Sequence, residues 1–439
     1  MTSTAIILAA GFGTRMKSAL PKAMHPIAGR PMLRHLLASC EAVFDRIVVV
    51  IGPDMDGVAK IAAPHTVVIQ HERRGTAHAA LQAAAHFGDG EVAVLYADNP
   101  LITPATLARL LDRRAGTDIG LALLAMRPAD PGRYGRVVAN GGLVERIVEW
   151  AETDIVEREI GLCNAGVLCG DAATMRRWLS AVRNDNAKRE YYLTDLVALA
   201  RADGEHVAAV EAPEAELRGI NSRVELAAAE ATVQGWLRVA AMQAGVTMTA
   251  PDSVFLCADT VFEPDVSIGP DVVFGPGVTV RTGAVIKSFC HIEGAEIGPG
   301  AIIGPFARLR PGTRIGADAH IGNFVELKAT QFGAGAKAGH LSYLGDSDIG
   351  AGSNIGAGTI TCNYDGFDKH RTTIGENVFV GSDSVLIAPV TIGDGAFVTA
   401  GSVITRDVAP DAMAFGRAPQ VEKPGRAAEF RALHSKQKG

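Results

Sequence analysis

The sequence predicts two folds in series, an open α/β sheet followed by a parallel β-helix. Three observations predict it. Short apolar runs alternate with alanine-rich helical stretches through the first half of the chain. From residue 256 to the end of the 390s an aliphatic or aromatic residue returns at every sixth position. Glycine often follows that residue, as at Gly269, Gly275, Gly298, Gly304, Gly316, Gly322, Gly375, Gly381 and Gly393. At 439 residues the chain has room for at least two domains.

Residues 4–10 form a buried strand, and a glycine-rich turn follows. A helix over 31–43 leads to the apolar run 47–51. Residues 67–70, 92–96 and 120–126 are further strands, separated by helical stretches at 76–86 and 104–113. Sheets of this kind bind ligands at the carboxyl ends of their strands. Residues 221–244 read as a connecting helix that Gly245 ends. The expected division is therefore 1–220, a helical linker at 221–245, a β-helix at 246–420 and a polar, solvated tail at 421–439. That tail carries Lys423, Arg426, Arg431, Lys436 and Lys438.

The hexads run in three series. The first is Leu256, Phe262, Ile268, Phe274, Val280, Ile286 and Ile292. A one-residue slip leads to Ile297, Ile303, Leu309, Ile315, Ile321 and Leu327. The third is Ile374, Val380, Leu386, Ile392, Val398 and Ile404. No helix has that period, and a lone strand has period two. A chain that turns a corner every six residues satisfies both, with the apolar residue inward and a small residue at the bend. Stacked coils then bury one continuous column.

Bulk composition excludes several classes. The net charge is −6 and both halves are mildly acidic, so no global field attracts nucleic acid or a membrane surface. A phosphate ligand must be held by local cations. The six cysteines (40, 163, 169, 257, 290, 362) show no CxxC pair and no zinc spacing, which fits free thiols in a reducing cytosol. No basic leader precedes an apolar core, and no apolar stretch reaches the length of a membrane span. A cytoplasmic protein is expected.

The turn after the first strand reads Leu8-Ala9-Ala10-Gly11-Phe12-Gly13-Thr14-Arg15-Met16, with Pro21-Lys22 close behind. Glycines there let backbone N–H groups approach a phosphate or a base. No GK[ST] ends the turn, and Met16 stands where a dinucleotide fingerprint needs its third glycine. Arg15 and Lys22 suit a polyphosphate whose charge grows in the transition state. Tyr96-Ala97-Asp98 ends a strand near the sheet centre. Asp98 is either a magnesium ligand or, with Asn99, the cap of the next helix, and the residues alone leave both open.

These pieces resemble the nucleotide-sugar pyrophosphorylase family, whose signature is LAAGxGTRM followed by PK. The resemblance implies a Rossmann-like nucleotidyltransferase domain. It implies that Leu8, Ala9, Ala10, Gly11, Lys22, Tyr96, Ala97 and Asp98 contact UTP. Gln70 and Gly75-Thr76 match its uracil-contacting elements. Tyr134-Gly135-Arg136, Glu149 and Asn164 match its sugar-contacting ones. Asn221, in GINSR, matches a second Mg²⁺ ligand beside Asp98, which favours metal over cap. The implied reaction is attack of a sugar-1-phosphate oxygen on the α-phosphorus of UTP, with Arg15 and Lys22 steadying the charge and no protein nucleophile. Ala97, Asn99, Trp150-Ala151 and Ala165 depart from the family pattern and bear on sugar choice.

The hexad breaks from Leu327 to Phe332, from Leu344 to Ile349 and through 361–373. Such breaks bulge the wall or project a loop. Polar residues gather there: Lys328, His340, Ser342, Tyr343, Asn354, Asn363, Tyr364 and Lys369. Ala338 holds the inward position, so His340 lies two residues off the core column. Imidazole is well suited to take a proton at neutral pH. Periodicity alone leaves His340 open between base and surface residue.

The stretches IGPFARLRPG, GNFVELK, AGHLSYLG, NIGAGTITCNYDG and VFVGSDS resemble the acetyltransferase domain of a bacterial bifunctional family. Its members are N-acetylglucosamine-1-phosphate uridyltransferases and glucosamine-1-phosphate acetyltransferases. The likeness runs over nearly the whole chain. It implies a left-handed β-helix of hexapeptide repeats and a homotrimer with acetyltransferase sites between subunits. His340 would be the general base. Arg310 and Lys328 would bind the sugar phosphate, and Tyr343, Asn354 and Lys369 the sugar. Ala357, Asn363, Tyr364, Ser382, Ala400 and Arg417 would line the acetyl-CoA side. A second reading keeps only nucleotidyl transfer, with the β-helix as a scaffold. A third, a metal-dependent hexapeptide enzyme, wants clustered histidines, but His291, His320 and His340 are spread out.

Overall fold

The computed structural model describes residues 2–435 except 117 and 187. The chain divides into two compact units, Met1–Trp236 and Leu237–Gly439.

The first unit is built on a nine-stranded sheet. Its first strand, Ser3–Leu8, third in spatial order, is buried along its whole length, as its apolar run requires. It pairs in parallel with Arg46–Ile51 on one side and Glu91–Tyr96 on the other. Thr66–Ile69 extends the sheet beyond Arg46–Ile51, also in parallel. The chain therefore builds outward in one direction, then returns to the far side of its first strand. That reversal lies between Ser3–Leu8 and Glu91–Tyr96, where Leu8 is in register with Tyr96. The loops leaving these two strands diverge at this point and leave a crevice.

Beyond Glu91–Tyr96 come Cys163–Asp171, Ile119–Met126, His206–Glu211, Leu143–Val148 and Arg136–Asn140, in that spatial order. Apolar clusters cover both faces of the sheet. The helix Met32–Glu41 buries Leu33, Leu36, Leu37 and Cys40 on one stripe. The helix expected at 76–86 is shorter, Thr76–Gln82, and a 3-10 turn Ala84–His86 follows it. Alanine favours helix along the stretch, but Phe87 must be sunk into the core and its carbonyl bonded to Thr4, which ends the helix early. The helix Arg223–Gln243 spans the expected connector, and Gly245 follows it at φ +97°. The two units divide within that helix.

The second unit winds through three parallel sheets of ten, eight and eight strands. Successive coils stack in register, with Ile286 beside Ile303 and Ile303 beside Ile321. The hexad residues point inward: all but Phe262, which is half-buried, belong to one buried column. At roughly 25 cal/mol per Å² of apolar area removed from water, this column dominates the stability of the unit. The breaks fall where expected. Phe332 and Ile349 return to the column after short steps, and Asn354 pairs with Phe379 across the excursion through 361–373.

The small residue at the bend has a steric cause that one rung shows directly. A Cβ on Gly322 would fall 1.8 Å from the Gly339 carbonyl oxygen of the next coil. Residues 421–435 are exposed. They include a helix, Arg426–Ser435, with no buried residue.

Candidate active sites

The crevice of the first unit is lined by Leu8, Ala9, Ala10, Gly11, Gln70, Gly75, Thr76, Tyr96, Ala97 and Asp98, all predicted from sequence. Arg73 and Glu190, which the sequence reading missed, line it as well. The cavity holds about 300 Å³. A second cavity, of about 810 Å³, adjoins it and shares Thr76, Tyr96, Asp98 and Glu190. Its walls include Tyr134, Gly135, Glu149 and Asn164, the expected sugar side, and Asn221, the expected second Mg²⁺ ligand.

The glycine-rich turn has the strained backbone that its composition allows. Gly13 sits at φ +68°, and a Cβ there would press to 2.7 Å from the Lys22 Cβ. Lys22 can therefore lie directly beneath the turn. Its ammonium bonds to Asp98 and, at 2.8 Å, to Asn221 Oδ1. Arg15 donates to that same Asn221 oxygen at 2.7 Å. Two cations from the turn region thus converge on two oxygen donors from distant segments. Asp98 is not a helix cap. Thr103 caps the helix Pro104–Arg114, accepting from Thr106 N, and both threonine hydroxyls bond to Glu216.

Other residues fix the walls. Arg73 donates from Nε to Ala10 O at 2.7 Å and lies 4.0 Å over the Phe12 ring, strapping the turn from above. Gln70 is buried, and its amide reaches Gly75 O at 3.3 Å. Burial pushes the Tyr96 hydroxyl well above an ordinary phenol, so it stays neutral. On the sugar side Asp195 is raised to about 6 by burial first, then by the nearby charges of Glu152 and Glu149. Of the departures from the family pattern, Asn99 is buried and ties to Leu217 O at 2.6 Å. Trp150 lies under the guanidiniums of Arg136 and Arg158.

On the β-helix, Ala338 is fully buried and His340 exposed, as the hexad register requires. His340 Nδ1 lies 2.6 Å from Asn323 Oδ1 on the preceding coil. That bond places the proton on Nδ1 and leaves Nε2 free to accept one. Below His340 the same edge continues: Gly358 N bonds to Leu341 O, Asp383 N to Ala357 O and Gly401 N to Ser382 O. Ala400 packs against Gly381, and the Arg417 side chain against Gly401. His340, Ala357, Ser382, Ala400 and Arg417 thus form one column.

The other predicted residues gather at the next edge. Lys328 Nζ bonds to Asp346 at 3.1 Å, and Asn363 also donates to Asp346. The Tyr343 hydroxyl lies 3.5 Å from Asn363 Nδ2. The excursion folds back on itself through a bridge between Tyr364 and Lys369. Its Asp365 accepts from Phe367 N, Asp368 N and His370 Nε2. This brings Lys369 beside Lys328, and a hydrogen bond from Lys328, then its like charge, draw Lys369 below an ordinary lysine. Arg310, paired with Glu326 at 2.9 Å, adds a third cation. Lys328, Lys369 and Arg310 thus gather at this edge with two carboxylates, Asp346 and Glu326.

Asn354 does not join that group, because it pairs with Lys337 and Phe379 on the wall leading to the His340 edge. Asn363 and Tyr364 likewise stand apart from the column below His340. Asn323 and Asp346 were missed by the sequence reading. No group of three or more metal-ligating side chains occurs among the described residues, and all six cysteines are free.

The chain is similar to known proteins throughout. Residues 5–160 match the MobA-like NTP transferase domain. Residues 294–329 and 371–406 match the bacterial transferase hexapeptide (six repeats). A relative from Gluconacetobacter diazotrophicus, a bifunctional protein GlmU, is 66% identical over 99% of this chain and 95% of its own length. The chain belongs to the GlmU family. GlmU proteins from Acidiphilium cryptum and Granulibacter bethesdensis are each 63% identical, over 99% and 98% of this chain and 100% and 96% of their own. The match to GlmU runs across both sites, so neither unit is an addition peculiar to this chain.

Proposed function

We propose that this protein makes UDP-N-acetylglucosamine in two steps at two sites. The β-helix acetylates glucosamine-1-phosphate with acetyl-CoA. The first unit then transfers UMP from UTP to N-acetylglucosamine-1-phosphate, releasing pyrophosphate. The product is a precursor of peptidoglycan and lipopolysaccharide. The observation that carries the reading is that one chain, similar over its full length to bifunctional relatives, holds both a cation-lined nucleotide crevice and an exposed, oriented imidazole. A scaffold has no use for the second.

In the first step the amine of glucosamine-1-phosphate attacks the thioester carbonyl. His340 Nε2 takes the amine proton, with Asn323 holding the ring. The carbon–sulfur bond breaks and CoA leaves as its thiol. Lys328, Lys369 and Arg310 hold the phosphate, and Tyr343 and Asn354 the sugar. Asn363, Tyr364, Ala357, Ser382, Ala400 and Arg417 line the acetyl-CoA side. These residues stand at two edges of a single chain, which supports a homotrimer whose edges meet at shared sites.

In the second step a phosphate oxygen of the sugar attacks the α-phosphorus of UTP, and the bond to the β-phosphate breaks. Gln70, Gly75 and Thr76 hold uracil, and Glu149, Asn164 and Gly135 the sugar. Asp98 and Asn221 suit Mg²⁺: both are hard oxygen donors already converging on a cation, and two protein ligands leave room for phosphates and water. Mg²⁺ bound there supplies charge neutralisation on the phosphates. Lys22 and Arg15, beside the glycine-rich turn, would steady the charge of the triphosphate.

The test is to incubate the protein with glucosamine-1-phosphate, acetyl-CoA, UTP and Mg²⁺, omitting each in turn. UDP-N-acetylglucosamine should form only in the full mixture. His340→Ala should abolish acetyl transfer and spare uridyl transfer, and Asp98→Ala the reverse. If either substitution killed both in a folded protein, the two-site reading would fail.

A further inference from the structure

Arg15, Lys22 and Asn221 come from three separate segments, and a side chain outside the cavity lining joins all three. Arg223, two residues beyond Asn221, opens the helix Arg223–Gln243. Its Nε donates to Met16 O at 3.2 Å, the residue after Arg15. Its NH1 lies 3.3 Å from Nδ1 of His25, which directly follows the 3-10 turn Lys22–Met24. His25 is almost fully buried, at 3% exposure, so its ring cannot swing away.

We infer that Arg223, with His25 as its acceptor, is a positioning residue of uridyl transfer. It sets the register between the glycine-rich turn, the Lys22 segment and the Asn221 segment. The inference rests on the uridyl-transfer reading above. Arg223 lines neither the crevice nor the adjoining cavity, so it acts through the others. Arg15 and Lys22 both bond to Asn221 Oδ1, at 2.7 and 2.8 Å. A small slide of any segment would separate those three atoms. The backbone offers few ties between these segments: Met16 N bonds back to Gly13 O and His25 N to Lys22 O, each within its own segment. The planar guanidinium reaches two acceptors in different directions. An ammonium is a single point and has no such fork. The same helix end is pinned locally, since Glu225 accepts from Asn221 N at 2.7 Å and its own N–H bonds to Ser222 Oγ. Arg223 therefore transmits a fixed helix end to the two catalytic cations.

The test uses the full chain with Arg223→Met, Arg223→Lys and His25→Asn. Uridyl transfer is measured against UTP and against Mg²⁺ concentration, with acetyl transfer and the melting temperature alongside. Arg223→Met should lower uridyl kcat at least tenfold and raise the half-saturating Mg²⁺ concentration severalfold. Arg223→Lys should not rescue it. His25→Asn, which keeps an acceptor, should lie between. Acetyl transfer and melting should stay near wild type. A merely structural arginine would shift melting and leave the Mg²⁺ dependence alone, and that outcome overturns the inference. So does wild-type uridyl kinetics in Arg223→Met. Should wild-type protein itself show no uridyl transfer, the functional reading fails first and the inference falls with it.

Discussion

Gly322 and Gly339 face each other on neighbouring coils, yet alanine should be tolerated at only one of them. On Gly322 the added Cβ would sit 1.8 Å from Gly339 O and 2.6 Å from its carbon, all backbone. A carbon and a carbonyl oxygen need about 3.3 Å, so the coils must part by over an ångström. On Gly339 the Cβ meets nothing within 4 Å, and its φ is not in the left-handed range. Overpacking of this kind costs about 1–3 kcal/mol. Parting the coils also strains the bond from Leu341 N to Asn323 O, 3.0 Å long, at about 1 kcal/mol net. The sum for Gly322→Ala is about 2–4 kcal/mol, or a melting point lower by roughly 4–16 °C for a unit of this size. Gly339→Ala should stay within about 0.5 kcal/mol of wild type. Calorimetry of both variants measures the difference, and acetyl transfer should fall with Gly322→Ala because the Asn323–His340 pair spans the opened rung. Equal melting of the two variants would refute the steric reasoning.

Asp195→Asn should stabilise the first unit near neutral pH only. The carboxyl titrates at about 6 instead of 3.8, so its protonated form is favoured in the folded state, and stability is lost as pH rises through that window. For this half-buried group the gain at pH 7.5, after screening by water, is about 1 kcal/mol. Urea unfolding at pH 3.5 and 7.5 should show no gain at the first and a gain at the second; equal gains would contradict the assignment. Asn323→Ala should lower acetyl kcat by part of the roughly 10²–10⁴-fold that a general base supplies, leaving uridyl transfer alone. Lys328→Met should raise the KM for glucosamine-1-phosphate more than it lowers kcat, and an unchanged KM would remove Lys328 from the phosphate site.

The β-helix was legible because its signal is one residue type at one spacing. Ile303, Ile321 and Val380 each declare their inward direction without help from distant sequence. The crevice was legible at Gly11–Arg15 and Asp98 because those residues lie at strand ends. The hairpin of Arg136–Asn140 and Leu143–Val148 was not read, although Gly141 and Gly142 mark its turn at positive φ. Its strands are short and set apolar residues side by side, Val137 with Val138 and Leu143 with Val144, so period two is hidden. Arg73, Glu190 and Arg223 escaped because their roles depend on side chains reaching across loops that only the folded sheet brings together. Asn323 could have been found: it lies two residues beyond Ile321, as His340 lies two beyond Ala338, so stacked coils must juxtapose them.

The two half-equipped edges of the β-helix carry a genetic consequence. A chain crippled at His340 still has an intact cationic edge, and one crippled at Lys328 still has its imidazole. In the homotrimer proposed above, with sites shared between subunits, such chains mixed in equal amounts would pair sound edges at about a quarter of their contacts. Two dead alleles would then complement each other for acetylation, while either alone stays silent.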